Sequence, residues 1–180
     1  MRVCDSAYKL LPTLGDKTFH MVLTDVPYDL DEKHKKWLHK QFLRLCSGVI
    51  VVFSSPENQW IIPADQYLFW IKPISTKNTS KNYSRFVEMI FVYGNNVWNS
   101  DRHWSQYTNV FTDLVDDSNI HQYRKPPSLI RRLILNHTNT GDKILDPFAG
   151  SFVVADVAEG LDRECYAIEK DRKLYELYGS

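Results

Sequence analysis

Short apolar runs alternate along the chain with segments in which apolar residues recur at helical spacing. This alternation is typical of an α/β fold with a mostly parallel sheet, because each helical segment can cross from one strand to the next. Strands are predicted at Arg2–Cys4, Phe19–Thr24, Val49–Ser54, Tyr67–Ile71, Val87–Tyr93, Lys143–Leu145 and Cys165–Ile168. The fourth and fifth of these strands are expected to pair in the antiparallel direction at one edge of the sheet.

The helical pattern is strongest in the segment that follows the second strand. There Leu38, Phe42 and Leu45 lie at i, i+4 and i+7, which predicts an amphipathic helix with a basic outer face. Helices are predicted at residues 33–46, 126–137, 151–160 and 172–179. Residues 95–122 are polar and aromatic with little periodicity, so they are predicted as a loop region.

Composition limits the class of protein. The 180 residues, 43% of them hydrophobic, predict a single domain with a substantial core. Lys and Arg number 22 and Asp and Glu number 22, so the zero net charge argues against a protein that coats nucleic acid non-specifically. Cys4, Cys46 and Cys165 are too far apart for a zinc site and favour a reducing compartment. With no membrane-length apolar run and no signal-peptide core, the chain is expected in the cytoplasm, away from membranes.

Two of the predicted strands end in turns that could carry chemistry. Thr24 is followed by Asp25-Val26-Pro27-Tyr28, and Leu145 is followed by Asp146-Pro147-Phe148-Ala149-Gly150-Ser151. Glu169 ends the next strand, 23 residues after Asp146, where an acid is well placed to bond ribose hydroxyls. In open α/β sheets, ligands bind at the carboxyl ends of strands, so an adenosine-like ligand is predicted. An ordinary turn followed by a surface acid is the alternative for either motif alone.

The second turn lacks the usual features of a pyrophosphate site. It contains the single glycine Gly150, followed by Ser151 and Phe152, and so has no G-x-G-x-x-G pattern. A G-K-[ST] sequence is absent as well, which excludes a P-loop. The turn therefore favours a nucleoside without a pyrophosphate, and S-adenosylmethionine fits that description.

The chain resembles the amino-methylating DNA methyltransferases. Asp25–Tyr28 is similar to their D-P-P-Y catalytic motif, and Asp146–Ser151 is similar to their D-P-F-x-G-S-G cofactor motif. His121–Ile134 resembles the H-P-T-Q-K-P segment that precedes the cofactor motif, and Val3–Leu14 resembles the opening motif. The catalytic motif comes first, which is the permuted order of the β group. The resemblance implies one domain over residues 1–180 with the Rossmann-like S-adenosylmethionine-dependent methyltransferase fold, a seven-stranded mostly parallel sheet with an antiparallel edge hairpin.

The resemblance also implies a set of cofactor contacts. The turn at Asp146 would line the methionine and sulfonium end of S-adenosylmethionine, and Glu169 would hold the ribose hydroxyls. Asp5 would accept from the adenine amino group, with a helix N-cap as the alternative. Lys125 would lie near the methionine carboxylate, with a solvated lysine as the alternative. The full implied set is Asp5, Lys125, Asp146, Pro147, Phe148, Ala149, Gly150, Ser151 and Glu169.

In the family, the first motif acts on the exocyclic amine of a flipped base. The resemblance implies that Asp25 and the carbonyl of Val26 accept the hydrogens of this amine, beside Pro27, while Tyr28 stacks on the base. No metal is implied. Aspartate at position 25 goes with adenine N6 in the family, so adenine is favoured and cytosine N4 is the alternative.

The expected substrate is double-stranded DNA with a flipped base, although RNA stays open. Residues 95–123 are interpreted as a short target-recognition region, and the lysine-rich segment after the fourth strand is interpreted as a phosphate-binding loop. A hydrophobic interface and a solvated loop are the respective alternatives. The predicted nucleic-acid contacts are Lys72, Lys77, Lys81, Arg85, Arg102 and Trp104.

Two residues depart from the family pattern. Val26 replaces the first proline of the catalytic motif and would leave its loop less stiff. Phe152 replaces the last glycine of the cofactor motif and would pack beside the ligand or narrow its pocket. These departures keep open a non-catalytic protein of the same fold that acts as a nucleic-acid-binding or partner subunit. A homodimer or a complex with a partner subunit is the expected assembly.

Overall fold

The computed structural model describes residues 1–55, 59–72, 86–94, 98–114 and 124–179. Within these residues the strands are β1 (Arg2–Cys4), β2 (Phe19–Asp25), β3 (Cys46–Ser54), β4 (Gln66–Ile71), β5 (Val87–Tyr93), β6 (Val110–Phe111), β7 (Lys143–Asp146) and β8 (Glu164–Glu169). The α-helices are α1 (Ala7–Leu10), α2 (Glu32–Leu45), α3 (Pro127–His137), α4 (Val153–Glu159) and α5 (Arg172–Tyr178). The described ranges also contain short 3₁₀ helices at Leu11–Thr13 and Trp104–Tyr107.

The described strands form one sheet in the order β1-β8-β7-β2-β3-β5-β4-β6. Only β5 runs antiparallel to its neighbours β3 and β4, and every other described pair is parallel. From β2 the chain continues outward to β3, whereas from β7 it continues outward in the other direction to β8. The strand order therefore reverses between β2 and β7, the position at which open α/β sheets bind ligands.

The alternation of side chains along β2 places a hydrophobic core on each face of the sheet. Met21 and Leu23 point to one face and pack in the cluster that includes α3 and α4. Val22, between them, points to the other face and packs in the cluster that includes α1 and α2. Burial on both faces explains why the strands read as continuous apolar runs instead of alternating ones.

The local sequence accounts for where the long helices begin. The Asp31 carboxylate accepts a hydrogen bond from the His34 amide at 2.8 Å and so caps the start of α2. Pro127 occupies the first turn of α3, where its missing N–H has no cost. Asp171 caps α5 by accepting from the amides of Lys173 and Leu174.

All seven predicted strands are present, and the antiparallel pairing of the fourth and fifth is confirmed. The loop prediction for residues 95–122 is wrong at Val110–Phe111, which pairs with Phe69–Trp70 as an eighth strand in the described part of the sheet. Helix α1 was not predicted, because four residues are too few to show a helical period. None of the helices in the described ranges is both long and apolar enough to cross a membrane.

Candidate active site

A cleft of about 940 Å³ opens at the carboxyl ends of β2, β7 and β8. Its volume is typical of sites for small molecules and cofactors. The segments Asp25–Tyr28 and Asp146–Ser151 both line it, together with Glu169. The topology thus brings the two predicted motifs to one site, although more than a hundred residues separate them along the chain. No cluster of His, Cys, Asp or Glu suited to a metal ion occurs among the described residues.

Asp146 is buried at the end of β7 and is held by two donors. The Thr24 hydroxyl donates to Asp146 Oδ1 at 3.0 Å, and the Phe148 amide donates to the same oxygen at 3.2 Å. Burial raises the pKa of Asp146 to about 7, against the lowering effect of these hydrogen bonds. Near neutral pH the group therefore exchanges a proton readily, and a cation bound beside it would favour its ionised form.

Glu169 forms a rigid wall of the cleft because each of its carboxylate oxygens accepts from a backbone amide. Gly150 N–H donates to Oε2 at 2.7 Å, and Asp171 N–H donates to Oε1 at 2.7 Å. Gly150 has φ 52°, a left-handed conformation that glycine adopts without steric cost. Each carboxylate oxygen keeps a further lone pair, so Glu169 can also accept from ligand hydroxyls.

Phe152 lies behind the cofactor turn and not in the cleft. It precedes α4 with φ 57° and ψ 19°, the left-handed conformation that explains why the related motif has glycine here. Its ring is fully buried in the core, edge-on to Tyr175 with 5.9 Å between centroids and with the Arg2 guanidinium 5.4 Å from its centre. It is absent from the described lining of the cleft, so the expectation that it narrows the pocket is wrong.

Asp25, at the end of β2, takes part in a chain of buried ion pairs. The Lys125 ammonium donates to Asp25 Oδ2 at 2.6 Å and lies 2.9 Å from Glu88 Oε2. Glu88 is in turn paired with Lys72 at the end of β4. The other oxygen, Asp25 Oδ1, is buried and has no hydrogen-bond partner among the described residues, although the Asp25 side chain as a whole is 27% exposed and lines the cleft.

Burial and charge act against each other in this cluster. Burial lowers the pKa of Lys125, but Asp25 and Glu88 outweigh it and raise that pKa above its ordinary value. Burial raises the pKa of Glu88, but Lys125 and Lys72 outweigh it and lower that pKa. Burial also raises the pKa of Asp25, and Lys125 opposes that rise. Lys125 therefore stays protonated and favours the ionised forms of both acids.

The side chains of Val26 and Tyr28 in the catalytic motif point in different directions. Val26 is 3% exposed and packs in the core cluster on the α1 and α2 side, which anchors the loop where the related motif has proline. Tyr28 is 44% exposed at the cleft. Partial burial of the side chain raises the pKa of its hydroxyl to about 12. Its ring is therefore a neutral and accessible surface on which a base could stack.

Two residues that were predicted to contact the cofactor, Asp5 and Lys125, are paired with protein side chains instead. Asp5 does not line the cleft, since its carboxylate accepts from the Ser6 amide at 2.8 Å and pairs with Lys9 at 2.7 Å. The alternative of Asp5 as an N-cap is also wrong, because Ser6 holds that position. Lys125, expected beside a methionine carboxylate, is paired with protein acids instead.

The predicted nucleic-acid contacts are not brought together in the described residues. Lys72 lines the cleft, but its charge is paired with Glu88 and its side chain is 10% exposed. Arg102 donates to Asn136 Oδ1 at 2.7 Å, near the end of α3 that lies farther from the cleft, and Trp104 is exposed nearby in the chain. Lys77, Lys81 and Arg85 lie outside the described residues.

Sequence reasoning missed Glu88 and Thr24. Glu88 is the one charged residue in the strand V-E-M-I-F-V-Y, and it is 5% exposed. A lone acid inside an apolar strand is costly to bury, so it signals a buried cationic partner even before the structure is known. Thr24 gave no such signal, because threonine is common in strands.

The sequence of the chain is similar to those of known DNA methyltransferases. A family model described as DNA methylase matches residues 19–179. DNA adenine methyltransferase YhdJ of Escherichia coli (strain K12) is 45% identical over 56 residues, which cover 31% of this chain and 19% of that protein. The chain thus spans only about a fifth of the length of this curated relative.

Solved structures show a similar fold over nearly the whole chain. The complex of M1.HpyAVI with SAM has a TM-score of 0.79 at 19% identity, covering 99% of this chain and 97% of that one. The cytosine-N4-specific PvuII DNA methyltransferase has a TM-score of 0.82 at 14% identity, covering 99% of this chain and 84% of that one.

Proposed function

Because the chain belongs to the DNA methylase family of N6 and N4 amino-methyltransferases, we propose that it transfers a methyl group from S-adenosylmethionine to adenine N6 in DNA. One observation carries this proposal. The Asp25 side chain is 27% exposed and lines the same cleft as Glu169 and the turn at Asp146. An acceptor for an amine and a nucleoside-binding wall therefore share one site.

The residues of the second turn fit the cofactor. Glu169 would accept from the ribose hydroxyls, since each oxygen retains a lone pair after its backbone hydrogen bond. Asp146 would lie near the sulfonium end, where its ionised form is favoured by the positive charge. When bound, S-adenosylmethionine supplies a methyl group that its sulfonium has already activated.

The residues of the first motif would prepare the amine. The lone pair of an exocyclic amine is delocalised into the base, which makes it a poor nucleophile. The Asp25 carboxylate and the Val26 carbonyl would accept its two hydrogens and favour the pyramidal form, while Tyr28 would stack on the flipped base. Alignment of the amine with the methyl group then supplies much of the remaining rate. The proton that the amine loses would pass through Asp25 to solvent.

Adenine is the proposed base because aspartate stands at position 25. One relative is named an adenine methyltransferase and one solved structure is cytosine-N4-specific, so the comparisons leave the base open. We place the reaction in the cytoplasm, where DNA is available and where the three free cysteines stay reduced.

Transfer of tritium from methyl-labelled S-adenosylmethionine tests the proposal. We expect acid-precipitable label on double-stranded DNA, little on RNA of matched sequence, and none with Asp25→Ala. Titration calorimetry should show that Asp25→Ala still binds S-adenosylmethionine, which separates loss of catalysis from loss of the cofactor. No binding of S-adenosylmethionine by the wild-type protein at millimolar ligand would refute the enzymatic function.

A further inference from the structure

Four alternating charges from four parts of the chain meet beside the catalytic motif. Lys72 follows β4, Glu88 is in β5, Lys125 precedes α3, and Asp25 ends β2. They form a chain in the order Lys72, Glu88, Lys125, Asp25. Each of the three contacts between neighbours in this chain is a direct ion pair. The side chains of Lys72, Glu88 and Lys125 are 10%, 6% and 5% exposed, so water solvates their charges only weakly.

Stability alone is a weak reason for this arrangement. Buried ion pairs are costly to desolvate, and apolar residues of similar volume often stabilise a fold as well or better. The cluster also lies at the cleft instead of deep in either core, and it ends at the one carboxylate proposed to contact the substrate. Its position therefore indicates a role in the reaction.

The geometry shows what the cluster can do for Asp25. Lys125 binds Oδ2 and so fixes the rotation of the carboxylate, while the Asp25 side chain remains 27% exposed at the cleft. Glu88, in β5, forms an ion pair with the same ammonium at 2.9 Å, and the ring of Phe53 lies 5.4 Å from it. Without Glu88, the Lys125 side chain would keep only one carboxylate partner and more rotamers would be open to it.

We propose that Glu88 is a positioning residue that holds Lys125 against Asp25 and so fixes the orientation of the Asp25 carboxylate towards the target amine. This role rests on the proposed methyl transfer. The ion pair at Asp25 would also restrain the loop at Val26, where the related motif has a proline. Glu88 itself touches neither the cofactor nor the base in this mechanism.

Steady-state kinetics of Glu88→Met test the proposal, since methionine matches the length of glutamate and accepts only weakly. We expect kcat to fall on the order of 10- to 100-fold while the Kd for S-adenosylmethionine stays within about threefold, because small misplacements cost rate and not cofactor contacts. Glu88→Gln keeps one acceptor oxygen and should retain an intermediate kcat. Glu176→Met, which removes a glutamate from an exposed pair with Arg172, is the matched control with unchanged kcat.

A second readout does not depend on activity. A buried and hydrogen-bonded ammonium exchanges its protons slowly, so ¹⁵N-edited spectra should show the Lys125 signal, assigned by its loss in Lys125→Met. We expect this signal to disappear or broaden in Glu88→Met. A wild-type signal in Glu88→Met, or a kcat within about twofold of wild type, would overturn the proposal.

The outcomes stay distinguishable if part of the scheme fails. If the wild-type protein transfers no methyl group, the proposed function fails and the ammonium signal alone decides whether Glu88 holds Lys125. If Glu88→Met does not fold, Glu88→Gln carries both readouts. A wild-type kcat together with a wild-type ammonium signal in Glu88→Gln would then contradict the proposal.

Discussion

Substitution of Phe152 separates its backbone conformation from its side-chain packing. Phe152 is fully buried and has φ 57°, a conformation that costs any residue with a Cβ atom. Phe152→Ala removes the ring and keeps this cost, whereas Phe152→Gly removes the ring and the cost together. The two variants thus differ mainly in backbone strain.

The magnitudes follow from these two contributions. Loss of a buried aromatic ring costs about 3–5 kcal/mol of the free energy of unfolding, so both variants should be clearly destabilised. Relief of the left-handed conformation restores about 1 kcal/mol, which Phe152→Gly gains and Phe152→Ala does not. We therefore expect glycine to be more stable than alanine here, the reverse of the order inside a helix, where glycine is worse by about 1 kcal/mol.

Urea unfolding followed by circular dichroism measures this difference, provided that the slope with denaturant is the same for both variants. Titration calorimetry on the folded variants should give an S-adenosylmethionine Kd within about threefold of wild type, because the ring points away from the cleft. Higher stability of Phe152→Ala than of Phe152→Gly would refute the strain argument. A Kd raised tenfold or more, by about 1.4 kcal/mol, would place the ring in the cofactor site after all.

Three further predictions concern the ion pairs and the cofactor wall. Lys125→Met should lower the free energy of unfolding by about 3–5 kcal/mol near pH 8, because Asp25 and Glu88 lose their shared cation. Urea titrations should show a smaller loss near about pH 5, where the folded variant takes up protons on these carboxyls; an equal loss at both pH values would contradict this. Since burial raises the pKa of Asp146 to about 7, the affinity for S-adenosylmethionine should rise as pH increases from about 5.5 to 7, and calorimetry of Asp146→Asn should give a flatter profile. Glu169→Gln should raise the Kd for S-adenosylmethionine by about 10-fold or more, because one backbone amide and one ribose hydroxyl lose a charged acceptor; a Kd equal to wild type would argue against ribose binding.

Most of the fold was predictable from the sequence because hydrophobic periodicity depends only on residues that are close together along the chain. The seven predicted strands and the four predicted helices were recognisable from short apolar runs and helical spacing. Strand β6 has only two residues, Val110–Phe111, and depends on pairing with β4, so no local pattern could reveal it. The same holds for α1, which is shorter than the period needed to recognise a helix.

The candidate site was predictable where backbone conformation and position along a strand determine it. Asp25, Asp146 and Glu169 end strands that the topology places side by side, so their convergence could be expected. The partners of Lys125 could not be, because Glu88 is 37 residues away along the chain in another strand. The expectation that Phe152 narrows the pocket was wrong because the sequence shows a bulky ring at this position but not its direction. The left-handed backbone conformation turns the ring into the core.

Mass spectrometry of nucleosides tests the central claim most directly. Unmethylated double-stranded DNA would be incubated with S-adenosylmethionine that carries a trideuterated methyl group, with wild-type protein and Asp25→Ala in parallel. The account predicts trideuterated N6-methyladenine with the wild-type protein and none with Asp25→Ala. N4-methylcytosine as the labelled product would contradict the assignment of the base, and a labelled product at wild-type level from Asp25→Ala would contradict the catalytic role of Asp25.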